Sequence, residues 1–233
     1  LKTNYAGSGA FKLRQWKANE LLALDANENY WGGAPAMKRV IIRHIAETAT
    51  QQLLLEKGDI DIARNLGPDQ LETVRKNPDI YLQSGRKGGI YYLGLNQKHE
   101  ALSKPQVRQA LKYLVDYQGM EETVVKDLMA VHQAFLPIGL LGALEAKPFH
   151  LDVGKAKQLL AEAGYPNGFK VTMDTRSISP IMEMAQSIQA TFAQAGVELE
   201  IIPGDGSQTL TKYRARNHDI YIGRWGPDYQ DPH

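Results

Sequence analysis

Phe169-Lys170-Val171-Thr172-Met173 and Val197-Glu198-Leu199-Glu200-Ile201-Ile202 are two short apolar-rich runs. Between them, residues 181–195 carry apolar side chains at helical spacing and stop at Gly196. Period-2 runs of β-branched residues predict strands, and the 3.6-residue pattern between them predicts a helix. Toward the C-terminus, a helix over about 208–216 leads into a third apolar run, Asp219-Ile220-Tyr221-Ile222-Gly223-Arg224. Strand, helix, strand, helix, strand with connections this short requires right-handed crossovers and a largely parallel sheet. The fold class is therefore α/β. Toward the N-terminus, Asp152 is placed to cap a helix over 153–163 that Gly164 closes ahead of Pro166.

The third strand runs directly into Trp225-Gly226-Pro227-Asp228-Tyr229-Gln230-Asp231-Pro232-His233. Open α/β sheets place ligand sites beyond the carboxyl ends of their strands. Asp228 and Asp231, three residues apart in such a loop, suit a cation such as a ligand ammonium, with Trp225 and Tyr229 as apolar walls and a cation–π face. Local Asx-turn chemistry, with Asp231-Pro232 opening a turn, accounts for the same residues equally well. No helix follows to cover the last strand, so the chain reads as a fragment of a longer protein cut near its binding site.

The earlier part is less regular. Phe11–Trp16 and Glu20–Leu24 read as a hairpin, 27–35 as a loop, and 40–45 as a strand. Thr48 is placed to cap a helix ended by Gly58, Asp59-Ile60-Asp61-Ile62 alternates like a half-buried strand, and Pro68 opens a short helix. Residues 90–96 form a further apolar strand, Lys104-Pro105 opens an amphipathic helix, and another short helix follows Gly119. The Gly-, Leu- and Pro-rich stretch 135–150 reads as a long structured loop.

The bulk properties exclude several function classes. The 233 residues hold 27 basic and 26 acidic side chains, and this net charge of +1 gives no reason to expect nucleic acid. With 0 cysteines there are no disulfides, thiolate metal sites or cysteine nucleophile. The six histidines, His44, His99, His132, His150, His218 and His233, never fall at i,i+3 or i,i+4, so no local metal motif exists. The nucleophile elbow, the zincin motif and the phosphate-binding loop are all missing. No metal and no cofactor is expected.

Taken in order along the chain, the motifs resemble one family. They are Gly7-Ser8-Gly9-Ala10-Phe11, Asn29-Tyr30-Trp31-Gly32-Gly33, Leu54-Leu55-Glu56-Lys57-Gly58-Asp59, and Tyr92-Leu93-Gly94-Leu95-Asn96 followed by Val107-Arg108-Gln109-Ala110-Leu111. The most specific piece is Lys155-Ala156-Lys157-x-Leu159-Leu160-Ala161-Glu162-Ala163-Gly164-Tyr165-Pro166-Asn167-Gly168-Phe169, and Trp225-x-x-Asp228-x-x-Asp231-Pro232 ends the set. The set resembles the extracellular solute-binding proteins of peptide-type ABC transporters, the dipeptide- and oligopeptide-binding family.

The resemblance implies a type II periplasmic-binding-protein-like fold that closes on a short peptide or related solute and delivers it to a membrane permease. On this reading residues 1–92 are the C-terminal portion of lobe I, and 93–233 are the α/β lobe II without its return to lobe I. The resemblance further implies that Asp228 holds the peptide ammonium and that Arg176 holds a carboxylate. An ordinary surface arginine at a helix start is an equal alternative for Arg176. It also implies no catalysis, a monomer, and a periplasmic or extracytoplasmic location, either free or membrane-anchored through a signal or lipid anchor that is not in this chain. Short peptides lead among the ligands. Nickel chelates, haem, opines, glutathione and oligosaccharides are solutes of relatives sharing the fold. A hydrolase on an α/β scaffold and a partner-binding module using Leu140-Leu141 are more distant readings.

Overall fold

A computed structural model describes residues 7–228 of the chain. The chain divides into two compact units, one up to Leu66 and one from Gly67. The boundary expected at residue 92 falls inside a strand of the second unit.

The first unit holds an antiparallel meander of β1 (Phe11–Lys17), β2 (Leu21–Ala26) and β3 (Arg39–Arg43), followed by α1 (Thr48–Lys57). Lys17 pairs with Leu21, and Asn19 takes the left-handed conformation in the three-residue turn between them. Asn tolerates that conformation better than most residues, because its short polar side chain bonds locally. Asp25 on the middle strand accepts from Arg39 Nε at 2.7 Å and Arg14 Nη1 at 3.0 Å. Those bonds, Arg39 first, hold its carboxyl below the usual carboxylate range.

Glu47, not Thr48, stands at the N-cap of α1. Gly58 closes that helix at φ 75°, donating to Leu55 O, while Asp59 N donates to Leu54 O. That closure takes the place of the strand expected at 59–62. The backbone there turns back onto the end of α1, and Asp59 and Asp61 are exposed residues of a loop rather than neighbours on one strand face.

The second unit begins with α2 (Pro68–Val74) and β4 (Ile90–Leu95). Then come α3 (Glu100–Ser103), α4 (Pro105–Lys112) and α5 (Tyr117–Glu122). Asp116 caps α5 by accepting from Gly119 N at 2.9 Å, so the helix contains Gly119 instead of following it. After a segment without helix or strand come α6 (Val153–Glu162), β5 (Lys170–Arg176), α7 (Ile181–Ala193), β6 (Glu198–Gly204), α8 (Gly206–Arg214) and β7 (Ile220–Trp225). Asp152 caps α6 as the sequence predicts, accepting from Lys155 N at 2.8 Å.

The sheet order is β4-β7-β5-β6. β5 runs parallel to both β6 and β7, while β4 is an antiparallel edge strand paired along all of β7. The parallel reading, made on the three C-terminal strands, holds for them, and β4 adds an antiparallel edge to the sheet. Met173, Ile220 and Ile222 enter one core with Leu102, Leu160 and Phe192. Phe192 is fully buried, and burying a side chain of this kind contributes about 1.5–3 kcal/mol. No helix among the described residues is long and apolar enough to cross a membrane.

Candidate ligand-binding site

Side chains alternate along a strand, so Val171, Met173 and Thr175 of β5 face one side of the sheet and Thr172, Asp174 and Arg176 the other. Met173 lies in the core. On the opposite face, Asp174 meets α8 through Lys212 Nζ, 2.7 Å from Asp174 Oδ1. Asp174 is only 2% exposed, and its Oδ2 has no partner among the described residues. Asp174 is level with Tyr221 of β7. Tyr221 stacks on Tyr213 of α8 with ring centroids 4.4 Å apart, and the Tyr213 and Tyr92 hydroxyls lie 3.4 Å apart. Burial first, then the bond to Tyr213, raises the Tyr92 phenol above its ordinary value. Burial also raises Tyr221. His218 packs against the same rings, Tyr213 at 5.0 Å and Tyr221 at 6.2 Å, and burial lowers its imidazole below the ordinary value. α8 is thus held onto the sheet by the partly buried Asp174–Lys212 ion pair and an aromatic layer.

The parallel strands β5, β6 and β7 end at one edge. Arg176 closes β5 opposite Gly204 of β6, and Trp225 closes β7, with Asp228 three residues beyond. The structure thus brings Arg176, Trp225 and Asp228 to the same carboxyl edge. Tyr229 and Asp231 lie outside the described residues. Trp225 is 67% exposed and Asp228 is exposed as well.

Arg176 is the last residue of β5 rather than a residue at a helix start, since α7 begins only at Ile181. Its guanidinium lies against Gly206 and makes no ion pair or hydrogen bond among the described residues. The Asp228 loop is held from the other side by close backbone approach. A Cβ on Gly226 would stand 2.6 Å from Gly88 O and 3.1 Å from Gly89 Cα. The Arg224 guanidinium, 6.0 Å from the Tyr91 ring centroid, packs over Gly89 as well.

Two surface hollows, of about 370 Å³ beside Leu140 and Leu141 and about 530 Å³ beside Arg75 and Asp127, contain none of these edge residues. The Asp174–Lys212 pair was not singled out by sequence reasoning. Its one signal was a charged residue following the alternating run of β5, which an isolated strand pattern reads as the strand's end.

The family model described as "Bacterial extracellular solute-binding proteins, family 5 Middle" matches residues 1–233. The chain belongs to this family. A relative in Escherichia coli strain K12, named as a probable D,D-dipeptide-binding periplasmic protein, DdpA, is 30% identical over 100% of this chain and 45% of its own length. Among solved structures, the ABC transporter-associated periplasmic binding protein DppA from Helicobacter pylori, in complex with peptide STSA, superposes with a TM-score of 0.88. It is 28% identical, covering 97% of this chain and 44% of that one. AgaA from A. tumefaciens R10, in complex with agropinic acid, superposes with a TM-score of 0.81 at 27% identity, covering 96% of this chain and 46% of that one. The family-5 chain described here therefore spans less than half the length of these relatives, and its α/β architecture is that of periplasmic binding proteins.

Proposed function

We propose that this chain is part of the substrate-binding component of an ABC importer. The whole protein captures short peptides by closure of two lobes and delivers them to membrane permease subunits without chemical turnover. The observation that carries this reading is the Trp225–Asp228 loop, an exposed carboxylate and indole at the edge where the three parallel strands end, in a family of solute-binding proteins. Asp228 takes the ligand ammonium, Trp225 with Tyr229 walls it, Asp231 adds negative charge, and Arg176 takes an anionic group of the ligand. Residues 93–233 form the α/β lobe II, and residues 1–92 belong to lobe I. The protein acts as a monomer outside the cytoplasm, tethered or free.

A charge-assisted hydrogen bond to a buried ammonium contributes about 1.5–3 kcal/mol. Asp228→Asn in the full-length protein is therefore expected to weaken free-amine peptides about 10- to 100-fold. N-acetylated forms of the same peptides change little. Calorimetric titration of both forms tests this, and equal weakening of the two removes the assignment. AgaA's agropinic acid favours a second reading, in which the same receptor fold holds a non-peptide solute. A ligand that has no amine and is indifferent to Asp228→Asn would support it.

A further inference from the structure

We propose that Gly206 is a positioning residue for Arg176. By carrying no side chain at the first position of α8, it gives the guanidinium a seat that fixes where the ligand's anionic group is held. The inference rests on the reading of Arg176 as a ligand contact.

Atoms Nη2, Nε and Cζ of Arg176 lie 2.6, 2.7 and 2.9 Å from the point where a Cβ on Gly206 would stand. Any other residue there would occupy the space the guanidinium fills. Gly206 has no left-handed φ that would otherwise call for glycine, so the backbone alone gives no reason for one at this position. The seat is rigid. Asp174 and Arg176 project from the same face of β5, and the Asp174–Lys212 pair at 2.7 Å ties α8 to that strand two residues before Arg176.

Thr209 Oγ1 donates to Asp205 O at 2.9 Å, and Thr209 Cγ2 stands 3.0 Å from the Cβ position of Gly204, opposite Arg176 on β6. Asp205, next to Gly206, is occupied as the N-cap, accepting from Ser207 N at 2.7 Å and Gln208 N at 3.0 Å. Arg176 is thus a cation at the positive end of a helix, with no ion pair among the described residues. An anion brought by the ligand is what such an arrangement lacks.

The test compares wild type, Arg176→Met and Gly206→Ala in the full-length protein. Calorimetry measures the affinity ratio between trialanine and trialanine amide, which differ only in the terminal carboxylate. Urea midpoints of the three proteins report on folding. Wild type is expected to prefer the free acid about 10- to 100-fold. Arg176→Met loses that preference. Gly206→Ala loses most of it with its urea midpoint nearly unchanged, and its crystal structure shows the guanidinium displaced from α8.

If Gly206→Ala keeps the wild-type ratio while Arg176→Met loses it, the positioning role is wrong and the Arg176 reading stands. If Arg176→Met also keeps the ratio, the ligand role of Arg176 fails and the inference with it. Failure of wild type to bind either peptide overturns the short-peptide reading, and the inference falls with it.

Discussion

Lys212→Met should be costly for a lysine that is 39% exposed. Its Nζ lies 2.7 Å from Oδ1 of Asp174, a carboxylate only 2% exposed whose Oδ2 already lacks a partner among the described residues. Removing one member of a buried pair leaves an uncompensated charge, which costs about 3–5 kcal/mol. Water reaching Lys212 puts the expected loss at about 3 kcal/mol, toward the low end of that range. Asp174→Asn removes the charge but leaves a buried amide, at a cost of about 1–3 kcal/mol. The double variant should cost less than the sum of the two by about 1.5–3 kcal/mol, the coupling expected for a charged hydrogen bond. Urea denaturation of the full-length protein measures all three, with the midpoint shifting at constant slope. If the losses add to within about 0.5 kcal/mol, the pair is not a coupled unit and α8 is held by its aromatic layer alone.

Stability should also depend on pH through His218. Burial, the largest cause, lowers its imidazole below 6.5 against the opposing pull of Asp174 and Asp219, with Lys212 lowering it further. The unfolded chain therefore binds the proton at a higher pH than the folded one, and stability rises with pH through that window. Stability is fully present above about pH 6.5 and is lost as pH falls below it; His218→Gln should flatten that part of a urea-midpoint profile. Phe192→Ala, at a fully buried core position, should cost about 3–5 kcal/mol in the same assay. Gly226→Ala places a Cβ against the backbone of Gly88 and Gly89, and should cost about 1–3 kcal/mol. It should also weaken free-amine peptides through displacement of the Asp228 loop, read by calorimetric titration.

The elements legible in the sequence were those whose signal is local. The β5–α7–β6 unit shows a period of 2, then 3.6, then 2, and the Asp152 cap and the Gly58, Gly164 and Gly196 stops are decided within a few residues. What could not be read depends on distant partners. An apolar run at 90–95 does not encode strand direction, which the antiparallel pairing with β7 decides. Asp59-Ile60-Asp61-Ile62 has the alternation of a strand, but its first amides are drawn to Leu54 O. Asp174-Thr175-Arg176 reads as polar punctuation, yet β6 continues alongside as far as Gly204 and Lys212 arrives from 38 residues away. The candidate site divides in the same way. Trp225 and Asp228 could be read because they follow an apolar strand directly, whereas the seat of Arg176 on Gly206 exists only once α8 is laid across the sheet.

The central claim, peptide capture through a ligand amine, is tested most directly by the melting temperature of the full-length protein. The panel contains di- to pentapeptides and their N-acetylated forms, with a few sugars and metal chelates. Ligand at about 100 times its Kd adds about 2.7 kcal/mol to the folded state. The account predicts a clear rise with free-amine peptides that disappears on acetylation. A rise that is equal for both forms, or seen only with sugars or chelates, would contradict it.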